Sequence, residues 1–137
     1  MDNQRTLYTS GAQWESLVGY SRAVKVGNTV EVSGTVAADE TGQTIGEGDA
    51  YLQTKFILQK IETVLLQAGA SLQDVVRTRL FVTDISQWQA YGRAHGEAFK
   101  NINPCTSMIE VKALIAPQYL VEIEATAIIT NSIQKNI

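Results

Sequence analysis

A chain of 137 residues, 45% hydrophobic and 18% charged, has enough material for one folded domain and hardly for two. Eleven Lys and Arg against fourteen Asp and Glu leave a net charge of -3, without the basic excess that binding a phosphate backbone needs. One Cys excludes an internal disulfide and a Cys-rich zinc site, and one His excludes a paired-His metal site or a two-His ribonuclease mechanism.

The opening MDNQRTLYTS is polar and no apolar run approaches the roughly 18 residues of a membrane span. A soluble, cytoplasmic protein with no membrane or nucleic-acid partner is therefore expected. An extra short strand is expected near Leu7 to Ser10. Residues 22–26 and 29–37 read as two strands around a Gly27-Asn28 turn, a pair that tolerates the positive φ of a tight hairpin. Residues 39–47 are a polar loop. Residues 49–68 carry Ala50, Ile57, Ile61, Val64, Leu65 and Ala68 at helical spacing, with Asp49 as N-cap and Gly69 after the last turn. Residues 74–83 alternate as a strand. Residues 85–100 place Ile85, Trp88, Tyr91, His95 and Phe99 three and four apart, a second helix. Residues 105–113 and 119–129 are two more strands around a Pro117 turn, and a polar tail begins at about residue 130. The order is β-β-α-β-α-β-β, one domain over 1–137, in which two helices cover one face of a mixed sheet.

Strand period is two, so alternate residues face opposite ways. Val76, Thr78, Leu80 and Val82 suit the helix side, as do Val121, Ile123, Ala125 and Ala127. The opposite face would then carry Arg77, Arg79, Glu110, Glu122 and Glu124 among Phe81, Met108, Leu120 and Ile128. One reading is a solvated face with cross-strand ion pairs worth roughly 0.2–1 kcal/mol each. The other is a partly buried ionic surface between subunits, because a bare face would leave a sizeable apolar patch.

The run Pro104-Cys105-Thr106-Ser107-Met108-Ile109-Glu110-Val111, followed by Leu120-Val121-Glu122-Ile123-Glu124-Ala125, resembles the Rid family, also called YjgF or L-PSP endoribonuclease. Gly19-Tyr20-Ser21-Arg22-Ala23, Val32-Ser33-Gly34 and Phe81-Val82-Thr83-Asp84 agree with it. The resemblance covers residues 17 to 129. It implies a chorismate-mutase-like α+β fold and a homotrimer with sheets inward, helices outward and small-molecule clefts between subunits. Active members hydrolyse 2-imino or 2-enamino acids to 2-oxo acids and ammonia without metal or organic cofactor.

Carried over residue by residue, the family's water-positioning Glu falls on Glu122, its pocket Tyr on Tyr20 and its backbone-amide Gly on Gly34. Its carboxylate-gripping Arg falls on Thr106. A hydroxyl makes single hydrogen bonds and cannot replace a bidentate cation. Losing such a partner costs on the order of 2–5 kcal/mol, so activity on ordinary 2-imino acids is expected to be weak. A position often Asn in active members is Arg93. Arg79 is a candidate replacement cation, against an ion pair with Glu122 or Glu124. Cys105, Thr106 and Ser107 are expected to line the cleft. A nucleophilic Cys105 lacks a nearby base in sequence, and His95 reads as a packing residue. Trp14 and Tyr8 could cap a cleft or a subunit contact. Two function classes remain: an atypical imine or enamine hydrolase acting on a ligand other than ordinary 2-imino acids, and a non-catalytic binding or sensing protein of the same fold. The acidic charge and single His argue against a ribonuclease.

Overall fold

The computed structural model describes residues 4–130. The expected tail beyond them lies outside the described residues. The elements are β1 (Arg5–Tyr8), α1 (Gln13–Val18), β2 (Ala23–Val26), β3 (Thr29–Thr35), α2 (Ala50–Gln67), β4 (Val75–Val82), α3 (Trp88–Phe99), β5 (Cys105–Glu110) and β6 (Val121–Ile128). Short 3₁₀ turns precede β4 and α3. The six strands form one sheet in the order β1-β2-β3-β6-β4-β5. All pairs are antiparallel except β4 with β5.

The local signals in the chain explain most of these elements. Val26 pairs with Thr29 across the Gly27-Asn28 turn, and Gly27 has φ 59. The Asp49 side chain accepts the Leu52 amide and starts α2, while Gly69 (φ 82) lets the chain turn away after it. Ile57, Ile61 and Leu65 of α2 are fully buried, as are Val82, Val121 and Ile123 of the sheet. Each contributes roughly 1.5–3 kcal/mol relative to exposure. α2 packs on β3, β6 and α3, so the two long helices lie on one sheet face as expected.

Three expectations change. Helix α1 was not foreseen: it has only six residues and no side-chain N-cap. A bulge between Val75 and Arg77 breaks the alternation of β4, so Val75 is buried and Val76 is exposed. Parallel pairing of β5 with β4 sets Met108 beside Leu80 and Glu110 beside Val82. Both therefore lie on the helix side, where Met108 packs on the core and Glu110 accepts the Ile85 amide at 3.0 Å. The outer face keeps Arg77, Arg79, Phe81, Glu122 and Glu124, with Val26, Val76, Ile109 and Ile128 exposed among them.

Candidate functional site

The predicted site residues fall into three groups. The first forms where β2, β3 and β6 meet. The β3–β6 register shifts between Val32 and Thr35. Side chains hold this bulge: Ser33 Oγ donates to the Ser21 carbonyl at 2.7 Å and Thr35 Oγ1 donates to the Ser33 carbonyl at 2.8 Å. Gly34 sits in it, and the Glu122 side chain lies directly over its Cα. A β-carbon at position 34 would meet Glu122 Oε2 and stand 2.9 Å from Cδ. Arg22 Nη2 donates to the Gly34 carbonyl at 2.6 Å, and the guanidinium lies 5.9 Å from the Tyr20 ring centroid. Burial pushes the Glu122 carboxyl above the usual range. The Arg22 charge pulls it down and Glu124 pushes it up. Gly34 and Glu122 are thus in direct contact, and Tyr20 joins them through the Arg22 guanidinium.

The second group lies on the edge strand, facing the helices. Thr106 pairs with Thr78, and their hydroxyls are 2.7 Å apart. Thr78 Oγ1 is also 2.8 Å from His95 Nε2, and the His95 ring packs on Phe99 with centroids 4.6 Å apart. His95 is therefore the end of a hydrogen-bonded chain as well as a packing residue. Burial pushes its pKa below the ordinary 6.5. On acidification the unfolded chain takes up a proton near pH 6.5 that the folded chain refuses. The stability that neutral His95 contributes is complete above that value and is lost as pH falls through the folded pKa. His95→Gln should accordingly flatten the fall in melting temperature between pH 7.5 and pH 5. Parallel slopes for the two proteins would refute this.

The third group is on the outer face. Cys105 and Ser107 stand beside Arg77 and Arg79 in the parallel register. Arg79 Nη1 pairs with Glu124 Oε1 at 3.3 Å, one of the two arrangements weighed for it. A shallow groove there is lined by Val24, Ser33, Arg79, Glu124 and Thr126 among others. Arg93 lies apart from all three groups. Its guanidinium stacks 4.1 Å from the Tyr51 ring centroid, on the helix layer, and Tyr51 Oη bonds Glu97.

Thr106 and Glu122 belong to strands two places apart and face opposite sides of the sheet. Between β2 and β5 there are four strand spacings, about 19 Å at roughly 4.8 Å each. One chain therefore cannot close the first two groups on one small ligand.

Sequence reasoning missed Arg22 and Lys60. Lys60 Nζ donates to the Ala38 carbonyl at 2.7 Å, and burial together with the Arg22 charge pushes its pKa down. The available signal was that Arg22 falls on the opposite face from buried Ala23, at the entry to β2. Among the described residues no cluster of three or more His, Cys, Asp or Glu could hold a metal, and no helix is long and apolar enough to cross a membrane.

The family model described as Endoribonuclease L-PSP matches residues 10–129. The chain belongs to the YjgF/Rid family. Its fold matches that of Rv2704 from Mycobacterium tuberculosis, a member of the YjgF/YER057c/UK114 family, with TM-score 0.84 and 52% identity, over 92% of this chain and 100% of that one. The Rid-family protein YyfA from Yersinia pestis is 30% identical with TM-score 0.81, over 92% of this chain and all of the other. The 3-aminoacrylate deaminase RutC of Acinetobacter baylyi is 34% identical over 111 residues, 81% of this chain and 87% of that protein.

Proposed function

We propose that this Rid-family protein hydrolyses an imine or enamine of a small organic molecule in clefts completed by neighbouring copies, and that ordinary 2-imino acids are poor substrates. The observation that carries this reading is the Glu122 carboxylate held over Gly34. A half-buried carboxylate with a raised pKa can hold a water and take its proton as the water attacks an imine carbon. Gly34 leaves room for that carboxylate, and Tyr20 lies on the far side of the Arg22 guanidinium.

The separation of the Thr106 and Glu122 groups within one chain supports a cleft made by two copies. The mosaic of charged and apolar residues on the outer sheet face supports burial of that face in an assembly. Members of the family are typically homotrimers, and we extend that state, and a cytoplasmic location, to this chain. No metal or organic cofactor enters the scheme. The deaminase RutC among the relatives supports the reaction class. A non-catalytic binding or sensing role is the second reading, favoured by Thr106, whose hydroxyl is already engaged by Thr78 where the family's cation would stand.

The test uses 2-aminoacrylate generated in situ by a PLP-dependent dehydratase, with release of the 2-oxo acid as the readout. Wild type should accelerate release only slightly, and Thr106→Arg should be at least about tenfold faster, the scale of one charge-assisted bond to a carboxylate. Light scattering should give a three-chain mass for both. Wild-type rates matching those of RutC on its own substrate would refute the narrowed specificity. Thr106→Arg no faster than wild type would favour the binding role.

A further inference from the structure

Position 106 carries no charge, yet the Gly34–Glu122 group does contain a cation. Arg22 has five N–H donors and makes one hydrogen bond, to the Gly34 carbonyl. Its Nε is shielded from solvent and has no hydrogen-bond partner. No carboxylate lies within ion-pair distance of it, because the ion pair formed among the described residues is Arg79 with Glu124. Burying part of a guanidinium without a counter-ion is costly. A group in that condition calls for a partner outside its own chain.

The charges around it define that partner. Arg22 enters β2. Lys60 of α2 is close enough for the two cations to repel. From β6, Glu122 and Glu124 face the group, and Glu124 is already tied to Arg79. Tyr20 offers a ring face to the guanidinium. Asp39, in the loop that Lys60 touches, is bound by Thr41 and Gln43. Arg22 thus keeps donors to spare beside Gly34, and its guanidinium is planar, which suits a planar anion.

We infer that Arg22 is the anion anchor of this site, gripping a small organic acid by its carboxylate from the Gly34 side. This rests on the cleft proposed above and deepens it. The accepted acid turns its carboxylate toward β2 instead of toward position 106. Arg22 thereby sets specificity, and Arg79, tied to Glu124, does not supply the missing charge.

Calorimetric titration with 2-oxobutanoate and with its uncharged analogue 2-oxobutanamide tests this. Wild type should bind the acid about tenfold or more tighter than the amide, as expected for a charge-assisted bond. Arg22→Gln should abolish that preference while still binding the amide, Arg22→Lys should keep part of it, and Lys55→Gln, at an exposed site on α2, should keep all of it. Light scattering should give one mass for all four proteins. Equal binding of acid and amide by wild type, or an unchanged preference in Arg22→Gln, overturns the inference alone. Binding of neither compound by wild type overturns the cleft reading with it. A changed mass in Arg22→Gln also overturns the inference, because Arg22 would then serve assembly.

Discussion

Gln53→Leu should lower the melting temperature by about 10 °C, the largest loss of stability expected from a single side chain of near-equal volume. Gln53 is fully buried on α2. Its Nε2 donates to the carbonyls of Gly46 at 3.2 Å and Gln118 at 3.0 Å, and its Oε1 accepts the Leu120 amide at 2.9 Å. One amide thus joins the loop before α2 to the loop before β6. Leucine would fill the space and leave the Gln118 carbonyl and the Leu120 amide without partners, while the Gly46 carbonyl keeps the Asp49 amide at 2.9 Å. Each orphaned group costs about 1–3 kcal/mol, so a total near 4 kcal/mol is expected. For a domain of this size each kcal/mol shifts the midpoint by roughly 2–4 °C. Gln53→Glu retains the acceptor but not the donor and should not rescue the wild-type value. Thermal melts followed by circular dichroism decide it, and a shift under about 2 °C would show that other groups or water replace the amide. Leu120 stands two residues before Glu122, so the variant should also lose activity at temperatures where it remains folded.

Gly34→Ala should abolish function while leaving the fold nearly intact. The added methyl would occupy the space of the Glu122 carboxylate, 2.9 Å from its Cδ. The obstructing atoms are the end of a flexible side chain, so Glu122 turns away and the backbone stays. Stability should fall by about 1 kcal/mol, the lower end of overpacking costs. Loss of a positioned base corresponds to about 10²–10⁴ in rate. Turnover of the cleft's substrate, measured beside a melting curve, separates the two effects. A variant as active as wild type would remove Glu122 over Gly34 as the working geometry.

Much of the fold was legible because its signals are local. The Gly27-Asn28 turn, the Asp49 cap and the apolar stripe through Ile57, Ile61 and Leu65 need only neighbouring residues to be read. The family motifs pointed to Gly34 and Glu122, which touch across the β3–β6 bulge, and to Tyr20, which meets them only through Arg22. Alternation failed where register intervened. The bulge at Val75 exchanged the faces of two valines, and the parallel pairing of β5 turned Glu110 and Met108 to the helix side. Arg22 was hidden for a different reason. Its importance depends on what the Gly34 carbonyl and Glu122 do across the sheet, and no spacing in the chain records that. Gln53 was equally silent, since a glutamine in a helix is ordinary until three loop groups converge on it.

The bulge that seats Gly34 also separates two kinds of selection. Ser33 and Thr35 satisfy its polar groups with their own side chains, so the exchange of side chains above it need not disturb the β3–β6 ladder that anchors Val30, Val32 and Ile123. Residues 22 and 122 can therefore change toward new ligands while Gly34 and the core stay under constraint. A scaffold built this way can change chemistry by one or two substitutions, and the threonine at 106 together with the arginine at 22 fits such a step.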